Sequence, residues 1–420
     1  MNIQEQRDSH IHLSEPERAL AYLESVESPR RQAGEIWKKA LRDELLHFHL
    51  DLKALGAAED FVISVIKKDY PSLEVPYHSR WRHFEGGTVD RMAILEEGLR
   101  SLSPLEKGSR LFDLVMISVF LDAGAGDRWV YKDALESRLS SRSEGLALAS
   151  YDLFCRGFFS AHKKDPWRVD ASRLLSLREA DLADGLQVSR DNPLLALEGR
   201  LALLRNIGAM LERRGSSEAR LGFLFAEFYE QASKQQNKLS ASVLFSSVLR
   251  TFQSVWPSRL TINGKNLGDV WFYPGIEGPS GTDGLMPFHK LSFWLSYSLL
   301  EPLIWAGIEI SEMDKLCGLA EYRNGGLFVD SSVLVPKNPG ILAERHPVSS
   351  TVIVEWRALT LSLLDVIAQN IRKKLAKSSQ ELTLAQVLQG GTWTAGRILA
   401  AQKRKFGPPP LMIESDGTVF

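Results

Sequence analysis

The sequence predicts a mainly α-helical protein, and three observations carry that prediction. Apolar residues recur at every third or fourth position, as in Trp37, Leu41 and Leu45, which is the period of an amphipathic helix. Further apolar segments have the length of a helix and exceed that of an ordinary strand. Strand signals are few and short. We therefore expect one or two small β-hairpins and no large sheet.

The helical segments can be followed in order along the chain. The first has apolar residues spaced from Trp37 to Leu52, and the second, at 111–123, is apolar nearly all round and predicts a core helix ending at Gly124. A third begins at Asn192, where Pro193 occupies a first-turn position. The remaining predicted helices are two within 222–256, a buried and kinked one at 291–310, and one at 364–375.

Two short segments carry the strand signals, and one polar segment marks a boundary. Asn263-Gly264 lies between apolar runs within 260–273 and predicts a hairpin, while 329–335 alternates weakly. The polar segment 213–220 predicts a boundary between lobes. We expect an N-terminal helical lobe at 1–215 and a C-terminal helical lobe at 216–420, packed as one compact unit.

Composition excludes several classes of function. With 51 basic and 52 acidic side chains the net charge is −1, so no strong positive field attracts nucleic acid or an anionic membrane. Only Cys155 and Cys317 occur, far apart, which excludes a disulfide framework and a cysteine zinc site. The first 13 residues lack an apolar signal segment, and Glu301 and Pro302 interrupt the longest apolar stretch. We therefore expect a cytoplasmic protein that acts on a small molecule and spans no membrane.

The chain lacks the usual catalytic signatures but contains a dense polar run. The sequence contains no phosphate-binding Walker loop and no G-x-S-x-G nucleophile elbow. It also contains no G-x-G-x-x-G motif before a helix. In AEYRNGG, at 320–326, four polar side chains from Glu321 to Asn324 stand between apolar Leu319 and Leu327. This pattern predicts partial burial, and a buried polar group costs free energy unless something satisfies it. A ligand or an internal salt-bridge network are the two ways of doing so.

Three other polar islands allow the same two readings. The segment SRWRHFEGGTVDR, at 79–91, suits either an anion site or a salt-bridged loop. His289 and Lys290 begin an apolar helix, where a ligand phosphate or a neighbouring carboxylate would compensate the cation. Glu355 and Arg357 precede a strong helix, and one of them is expected to form a structural ion pair with Glu321 or Arg323. Asp113 and Asp122 in the core helix need partners, and Arg80 or Arg82 could serve.

Three further segments complete the set of polar motifs. The segment 142–150 reads as the start of a helix. The segments GTWTAGR, at 391–397, and SDGTVF, at 415–420, read as packing and turn elements.

Taken together and in order, these motifs resemble those of a known family. The phrases are SRWRHFEGGTVDR, DAGAGDRWVY, RSEGLALAS, NPLLALEGR, LMPFHKLSFWLSYSLLEP, AEYRNGGLFVD and SDGTVF, which span residues 79–420. They identify the chain as similar to the uracil-catabolism protein four family, long described only as a domain of unknown function. The resemblance implies uracil degradation by a route in which the pyrimidine ring is opened on a ribosylated intermediate, leading to ribosylurea-type compounds and urea.

A more distant resemblance bears on fold and mechanism. The segments 288–299, 320–326 and 354–367 are similar to motifs of the queuosine-salvage nucleosidases, which cleave the N-glycosidic bond of a 5′-phosphorylated nucleoside. Those proteins resemble helical DNA glycosylases, so this resemblance implies a bilobed helical fold with the site between the lobes. In this sequence Glu321 stands where they have Asp, His289 where they have Tyr, and Leu291 where they have Arg.

The resemblances imply hydrolysis of the N-glycosidic bond of a ribosylurea-type intermediate, expected to be 5′-phosphorylated, to urea and ribose phosphate. Breaking this bond develops oxocarbenium character, which a carboxylate stabilises, and the departing urea needs a proton. The expected catalytic residues are Glu321, Tyr322 and His289. Expected substrate-binding residues are Arg80, Trp81, Arg82, His83, Phe84, Phe288, Lys290, Arg323, Asn324, Asp330 and Arg357. No cofactor or metal is expected.

Two alternatives remain open from the sequence. One is an amide or ureido hydrolase that acts on an earlier ring-opened intermediate of the same route. The other is a non-catalytic helical scaffold for other enzymes of the route.

Overall fold

A computed structural model shows a mainly α-helical chain, as predicted, and describes residues 14–126, 128–215, 219–256 and 259–414. The helices of the first half are α1 Glu15–Leu23, α2 Ser28–Leu41, α3 Leu52–Asp69, α4 Trp81–Phe84, α5 Arg91–Leu99, α6 Pro104–Leu121, α7 Arg142–Cys155, α8 Ala171–Ser176, α9 Glu179–Gly185 and α10 Leu197–Arg213. Those of the second half are α11 Phe223–Ser233, α12 Ala241–Phe252, α13 Lys290–Trp305, α14 Tyr322–Asp330, α15 Thr351–Leu375, α16 Leu384–Val387 and α17 Trp393–Lys403. A π-helical turn, Leu388–Thr392, joins α16 to α17.

The strands are short and pair only two at a time among the described residues. They are β1 Phe48–Leu50, β2 Val130–Lys132, β3 Leu139–Ser141, β4 Lys238–Ser240, β5 Thr261–Ile262, β6 Lys265–Asn266, β7 Val270–Phe272, β8 Leu285–Pro287, β9 Glu309–Ser311, β10 Leu334–Pro336, β11 Arg345–Pro347 and β12 Met412–Glu414. The predicted hairpin at Asn263-Gly264 is confirmed, since both residues have positive φ (49° and 74°), as a tight hairpin turn requires. The weak strand signal at 329–335 is realised only from Leu334, because Val329 and Asp330 end α14.

Two predicted helix boundaries are wrong, and hydrogen bonds explain both. The first helix ends at Leu41, because the Glu355 carboxylate accepts the backbone N–H groups of Leu46, His47 and Phe48 and holds them as an extended turn leading into β1. The helix predicted at 192 begins instead at Leu197. The Asn192 side chain is occupied with the backbone N–H and C=O of Val130, so it anchors a loop and does not cap a helix.

The core helices follow the sequence prediction. In α6 every residue from Gly108 to Leu121 is buried, and the helix begins behind Ser103, whose side chain accepts the N–H of Glu106. The predicted kinked segment forms α13, which contains Pro302 and ends at Trp305, before Gly307. The helix start predicted at 142 is confirmed by α7.

The two halves of the chain share one packed interior. Most buried apolar residues of both halves form one contiguous cluster, and Leu20, Leu23, Leu267 and Val270 form a small second one. β1 pairs with β10 in antiparallel register, and α2 packs against α15. The division into lobes at residue 215 stays a prediction. No helix in the described ranges has the length and apolar character needed to cross a lipid bilayer.

Candidate active site

A pocket of about 470 Å³ is lined by residues from both halves of the chain. Three groups of side chains in this lining are chemically informative. The aromatic group is His78, His83, Trp294 and Trp393; the carboxylate group is Asp122, Glu144 and Glu321; and the cationic group is Lys290, Arg142, Arg323 and Arg345. Tyr322 adds a phenol. A second cavity of about 640 Å³, between α5, α6 and the end of α13, is lined by none of the expected site residues.

Glu321 is the N-cap residue of α14, at the wall of the pocket. Its Oε2 accepts the backbone N–H of Arg323 at 2.7 Å and its Oε1 that of Asn324 at 2.5 Å. Burial raises the pKa of Glu321, while these two donors and the Lys290 ammonium oppose the rise. Each carboxylate oxygen can accept two hydrogen bonds. The cap therefore fixes the orientation of the carboxylate and leaves each oxygen able to accept another hydrogen bond from a ligand.

Lys290 is the partly buried cation of this wall, at the first position of α13. Burial lowers the pKa of Lys290, against the attraction of Asp122 and Glu321. Lys290 and Trp294 are four residues apart on α13 and therefore face the same side. This brings an ammonium group and an indole to one face of the pocket.

Asp122 terminates α6 and is held by three donors. Its Oδ1 accepts the Ser143 hydroxyl at 2.6 Å, and its Oδ2 contacts Arg80 Nη1 at 2.9 Å and Trp294 Nε1 at 3.2 Å. Burial alone would raise the pKa of Asp122, but Arg80 and the Ser143 hydroxyl hold it below its ordinary value. Asp122 is thus an ionised carboxylate whose hydrogen bond fixes the Trp294 ring.

Four aromatic side chains form a continuous wall. The His78 ring centroid lies 4.9 Å from that of Trp294 and 5.8 Å from that of Trp393, and the His83 centroid lies 6.0 Å from each indole. His78 Nδ1 is 2.8 Å from Gln389 Oε1 in the π-helical turn. We refer to His78, His83, Trp294 and Trp393 as the aromatic wall.

The C-terminal segment 404–414, here called the strap, covers another side of the pocket. Its lining residues are Pro408, Pro409, Met412 and Ile413. The strap is held by guanidinium groups, since Arg142 and Arg323 both donate to the carbonyl of Gly407 at 3.4 and 3.1 Å. β12 then pairs in parallel with β11, beside Arg345. The three pocket arginines thus lie at the strap.

The structure brings five of the expected site residues to the pocket: His83, Lys290, Glu321, Tyr322 and Arg323. Arg80 lies behind it, fully buried, where it binds Asp122, Ser118 and Ser143. The expectation that Asp122 partners Arg80 is therefore confirmed. Asn324 is also buried, and its amide joins the Leu319 carbonyl to the Thr392 hydroxyl.

A second set of expected residues lies around Asp269 and does not line the pocket. Arg357 forms two 2.8 Å hydrogen bonds with the Asp269 carboxylate and stacks over Phe288 with its Cζ 3.9 Å from the ring centroid. The Asp269 carboxylate also accepts the Lys290 N–H at 3.0 Å. A neighbouring aspartate therefore satisfies the start of α13. His289 Nε2 lies 2.8 Å from the Leu23 carbonyl and faces a different, water-sized cavity.

The expected structural ion pair is confirmed for Arg357, but it is formed with Asp269 in place of Glu321. Glu355 pairs with no arginine that the structure describes, since its oxygens accept backbone N–H groups and the Tyr273 hydroxyl.

The remaining expected residues have internal partners. Trp81 and Phe84 are fully buried, and the Trp81 indole donates to the Ser298 carbonyl at 2.9 Å. Arg82 pairs with Glu301 at 2.6 Å. Asp330 binds Arg404, whose Nε donates to the Pro408 carbonyl at 2.8 Å, so Asp330 supports the strap. Asp113 pairs with Arg220 and not with Arg80 or Arg82.

Sequence reasoning missed part of the lining: His78, Arg142, Ser143, Glu144, Trp294, Arg345, Trp393 and the strap residues. The segment 391–397, interpreted as a packing element, carries Trp393 into the wall. Polar residues at 142–144 and the Pro408–Pro410 run were the available signals. The segment 415–420 lies outside the described residues. Those that are described contain no group of three or more His, Cys, Asp or Glu able to hold a metal ion.

The aromatic wall predicts a specific loss of stability in acid. Burial lowers the pKa of His78 to about 4 and that of His83 to about 3, so both rings are neutral in the folded protein. In the unfolded chain a histidine binds a proton near pH 6.5. The contribution of each buried, neutral histidine to the free energy of unfolding is therefore complete above that pH and is lost as the pH falls toward its folded-state pKa. Between pH 7.5 and 5.5 we expect wild type to lose about 1 kcal/mol more stability than His78→Asn, measured by urea unfolding.

Other titrating groups are present in both proteins and cancel in that difference. The exposed His162 provides the control, and His162→Asn should follow the wild-type dependence. Parallel pH profiles for wild type and His78→Asn would contradict a neutral, buried His78.

Comparison with known proteins agrees with the motif resemblance. A family described as "Protein of unknown function (DUF1688)" matches residues 22–420. Protein urg3 of Schizosaccharomyces pombe is 39% identical over 411 residues, covering 96% of this chain and 99% of that protein. Uracil catabolism protein 4 of Lachancea kluyveri is 35% identical over 436 residues, covering 96% and 99%. The family expected from the motifs is thus confirmed, and the chain belongs to the DUF1688 family.

Proposed function

We propose that this protein acts in uracil catabolism and hydrolyses the N-glycosidic bond of a ribosylurea 5′-phosphate, producing urea and ribose 5-phosphate. The name of the Lachancea kluyveri relative supports the pathway. The observation that carries the reaction is the convergence of an oriented carboxylate, an ammonium group and a phenol, Glu321, Lys290 and Tyr322, in one pocket. Three guanidinium groups at the strap side complete a site for a small anionic substrate.

Glu321 has the position and chemistry to act on the sugar. As the C1′–N bond breaks, positive charge develops on C1′ and the ring oxygen, and an adjacent carboxylate stabilises that charge. The same carboxylate accepts a proton from the attacking water, whose oxygen forms the new bond to C1′. The two backbone N–H groups that fix Glu321 remove the need to reorient it during the reaction.

The departing urea nitrogen needs a proton, and we assign this role to Tyr322, which lines the pocket. Burial raises the pKa of the Tyr322 phenol, so the hydroxyl is protonated at neutral pH. The phenol gives its proton to the leaving nitrogen, and the proton that Glu321 takes from water then restores the phenol. The Lys290 ammonium stabilises the ionised form of the Glu321 carboxylate before the reaction. It can also donate a hydrogen bond to the ureido oxygen.

The phosphate fits the strap side of the pocket. Arg142, Arg323 and Arg345 lie there, and guanidinium groups match phosphate oxygens in planar, bidentate geometry. Arg142 and Arg323 each donate hydrogen bonds to strap carbonyl groups. A guanidinium has five N–H donors in total. The remaining donors are those available to the substrate.

The reaction is tested with purified protein and ribosylurea 5′-phosphate. Urea, measured with a urease-coupled assay, and ribose 5-phosphate, measured by mass spectrometry, are expected in equal amounts. Release of a fragment from a ring-opened uracil ribotide with the sugar–nitrogen bond intact would favour an amide or ureido hydrolase instead. No turnover of either substrate would contradict both reactions and leave the scaffold as the surviving alternative.

A further inference from the structure

The aromatic wall contains a polar atom that the fold leaves without a partner. His83 Nδ1 is buried and makes no hydrogen bond to any residue that the structure describes. A buried polar atom without a partner costs free energy, and such atoms in native proteins call for an explanation. The other ring nitrogen, Nε2, also has no hydrogen-bond partner among the described residues but stays accessible, and because His83 lines the pocket, a bound ligand can hydrogen-bond to it.

The wall is neutral and its rings are held in place from outside the pocket. Burial keeps the pKa values of His78 and His83 far below 7, so neither ring carries charge. Trp294 donates its indole N–H to Asp122, and His78 is hydrogen-bonded to Gln389. Trp393 follows directly on the π-helical turn, a feature often found at functional sites. The wall therefore offers ring faces and edges, and no positive charge for a phosphate.

We propose that the aromatic wall is the subsite for the planar, neutral ureido group of the substrate, with His83 Nε2 as its hydrogen-bonding partner. A ureido group is flat, so it can pack against an indole, and it has both N–H donors and a carbonyl acceptor. Either tautomer of His83 can therefore be matched. This inference rests on the proposed function, because it assigns one end of the same substrate.

The assignment also orients the whole substrate. The charged phosphate goes to the arginines at the strap, and the uncharged ureido end goes to the aromatic wall. Glu321 and Lys290 line the same pocket as these two sets of residues. The sugar that joins phosphate to urea is then the part that meets Glu321.

Binding to a substrate analogue tests the subsite without relying on turnover. In a carbocyclic ribosylurea 5′-phosphate a methylene replaces the ring oxygen, so no oxocarbenium ion forms. Its Kd and that of ribose 5-phosphate are measured by calorimetry on the full chain. His83→Phe keeps an aromatic ring and removes both ring nitrogens, and we expect about fivefold or greater weakening for the analogue, from the loss of one hydrogen bond. Ribose 5-phosphate should bind within twofold of wild type.

A second variant keeps the test valid if His83→Phe does not fold. Trp393 is only partly buried, so Trp393→Leu removes stacking area without opening a cavity in the core, and the same selective weakening is expected. Trp305→Leu is the matched control, because Trp305 is 48% exposed and lies outside the pocket. It should change neither Kd.

The outcomes separate this inference from the proposed reaction. Selective weakening of the analogue, even if wild type releases no urea, supports the ureido subsite and counts against the glycosidase step alone. Unchanged analogue binding, equal weakening of both ligands, or no binding of the analogue to wild type would overturn the subsite.

Discussion

Glu321→Gln is expected to lower the rate of urea release from ribosylurea 5′-phosphate by about a thousandfold, the upper range seen when one charge-stabilising group is removed. The amide keeps the size of the side chain and one oxygen for the cap of α14, but it has no negative charge for the sugar cation and accepts no proton from water. The measurement is kcat from the urease-coupled assay, with the fold checked by circular dichroism.

The control must separate lost chemistry from a weakened helix cap. Asp51 is the N-cap of α3, accepts the Lys53 N–H at 2.9 Å and is exposed outside the pocket. Asp51→Asn makes the same change of charge at a cap and should leave kcat within about twofold of wild type. A Glu321→Gln protein that retains more than a tenth of wild-type kcat would rule out Glu321 as the catalytic carboxylate.

Asp269→Ala is expected to cost about 3–5 kcal/mol of stability, the range for removing one partner of a buried ion pair. The Arg357 side chain is 0% exposed and that of Asp269 6%, so the substitution leaves a guanidinium charge in the core. It also removes the acceptors of the Trp271 indole and of the Lys290 N–H that begins α13. The measurement is the free energy of unfolding in urea.

A second arginine–aspartate pair provides the comparison. Arg30 and Asp365 form hydrogen bonds of 2.6 and 3.0 Å with similar geometry, but their side chains are 35% and 34% exposed. Water solvates the Arg30 guanidinium that remains, so Asp365→Ala should cost less than about 1 kcal/mol of stability. Adding Arg357→Met to Asp269→Ala should restore part of the lost stability, because it removes the buried guanidinium charge but does not replace the acceptors of Trp271 and Lys290. Equal losses for Asp269→Ala and Asp365→Ala would contradict this account.

Helices were predictable where the pattern of apolar residues was local and uninterrupted. α6 and α13 are examples, since their residues are apolar enough to specify buried helices wherever they pack. The two wrong boundaries have a common cause. Glu355 and Asn192 bind backbone groups 309 and 62 residues away, and no local pattern reports such a contact.

The candidate site was predictable only in part, for a similar reason. Arginine, histidine and glutamate in hydrophobic sequence indicate burial with a partner, but ligand and protein partners leave the same signal. Arg80, Arg82 and Arg357 look alike in sequence, and the structure gives each a protein carboxylate. Trp393 and the strap prolines gave little signal, because apolar lining resembles ordinary core.

By itself the sequence determined the helical class, the family and the residue types available for chemistry. Periodicity, composition and motif order are properties of the amino-acid sequence alone. Only the tertiary structure decided which residues share the pocket: it placed Glu321, Lys290 and His83 together and moved His289 to another cavity. The physical reason is that burial, electrostatic environment and hydrogen-bond partners arise between segments hundreds of residues apart, and packing alone fixes which segments meet.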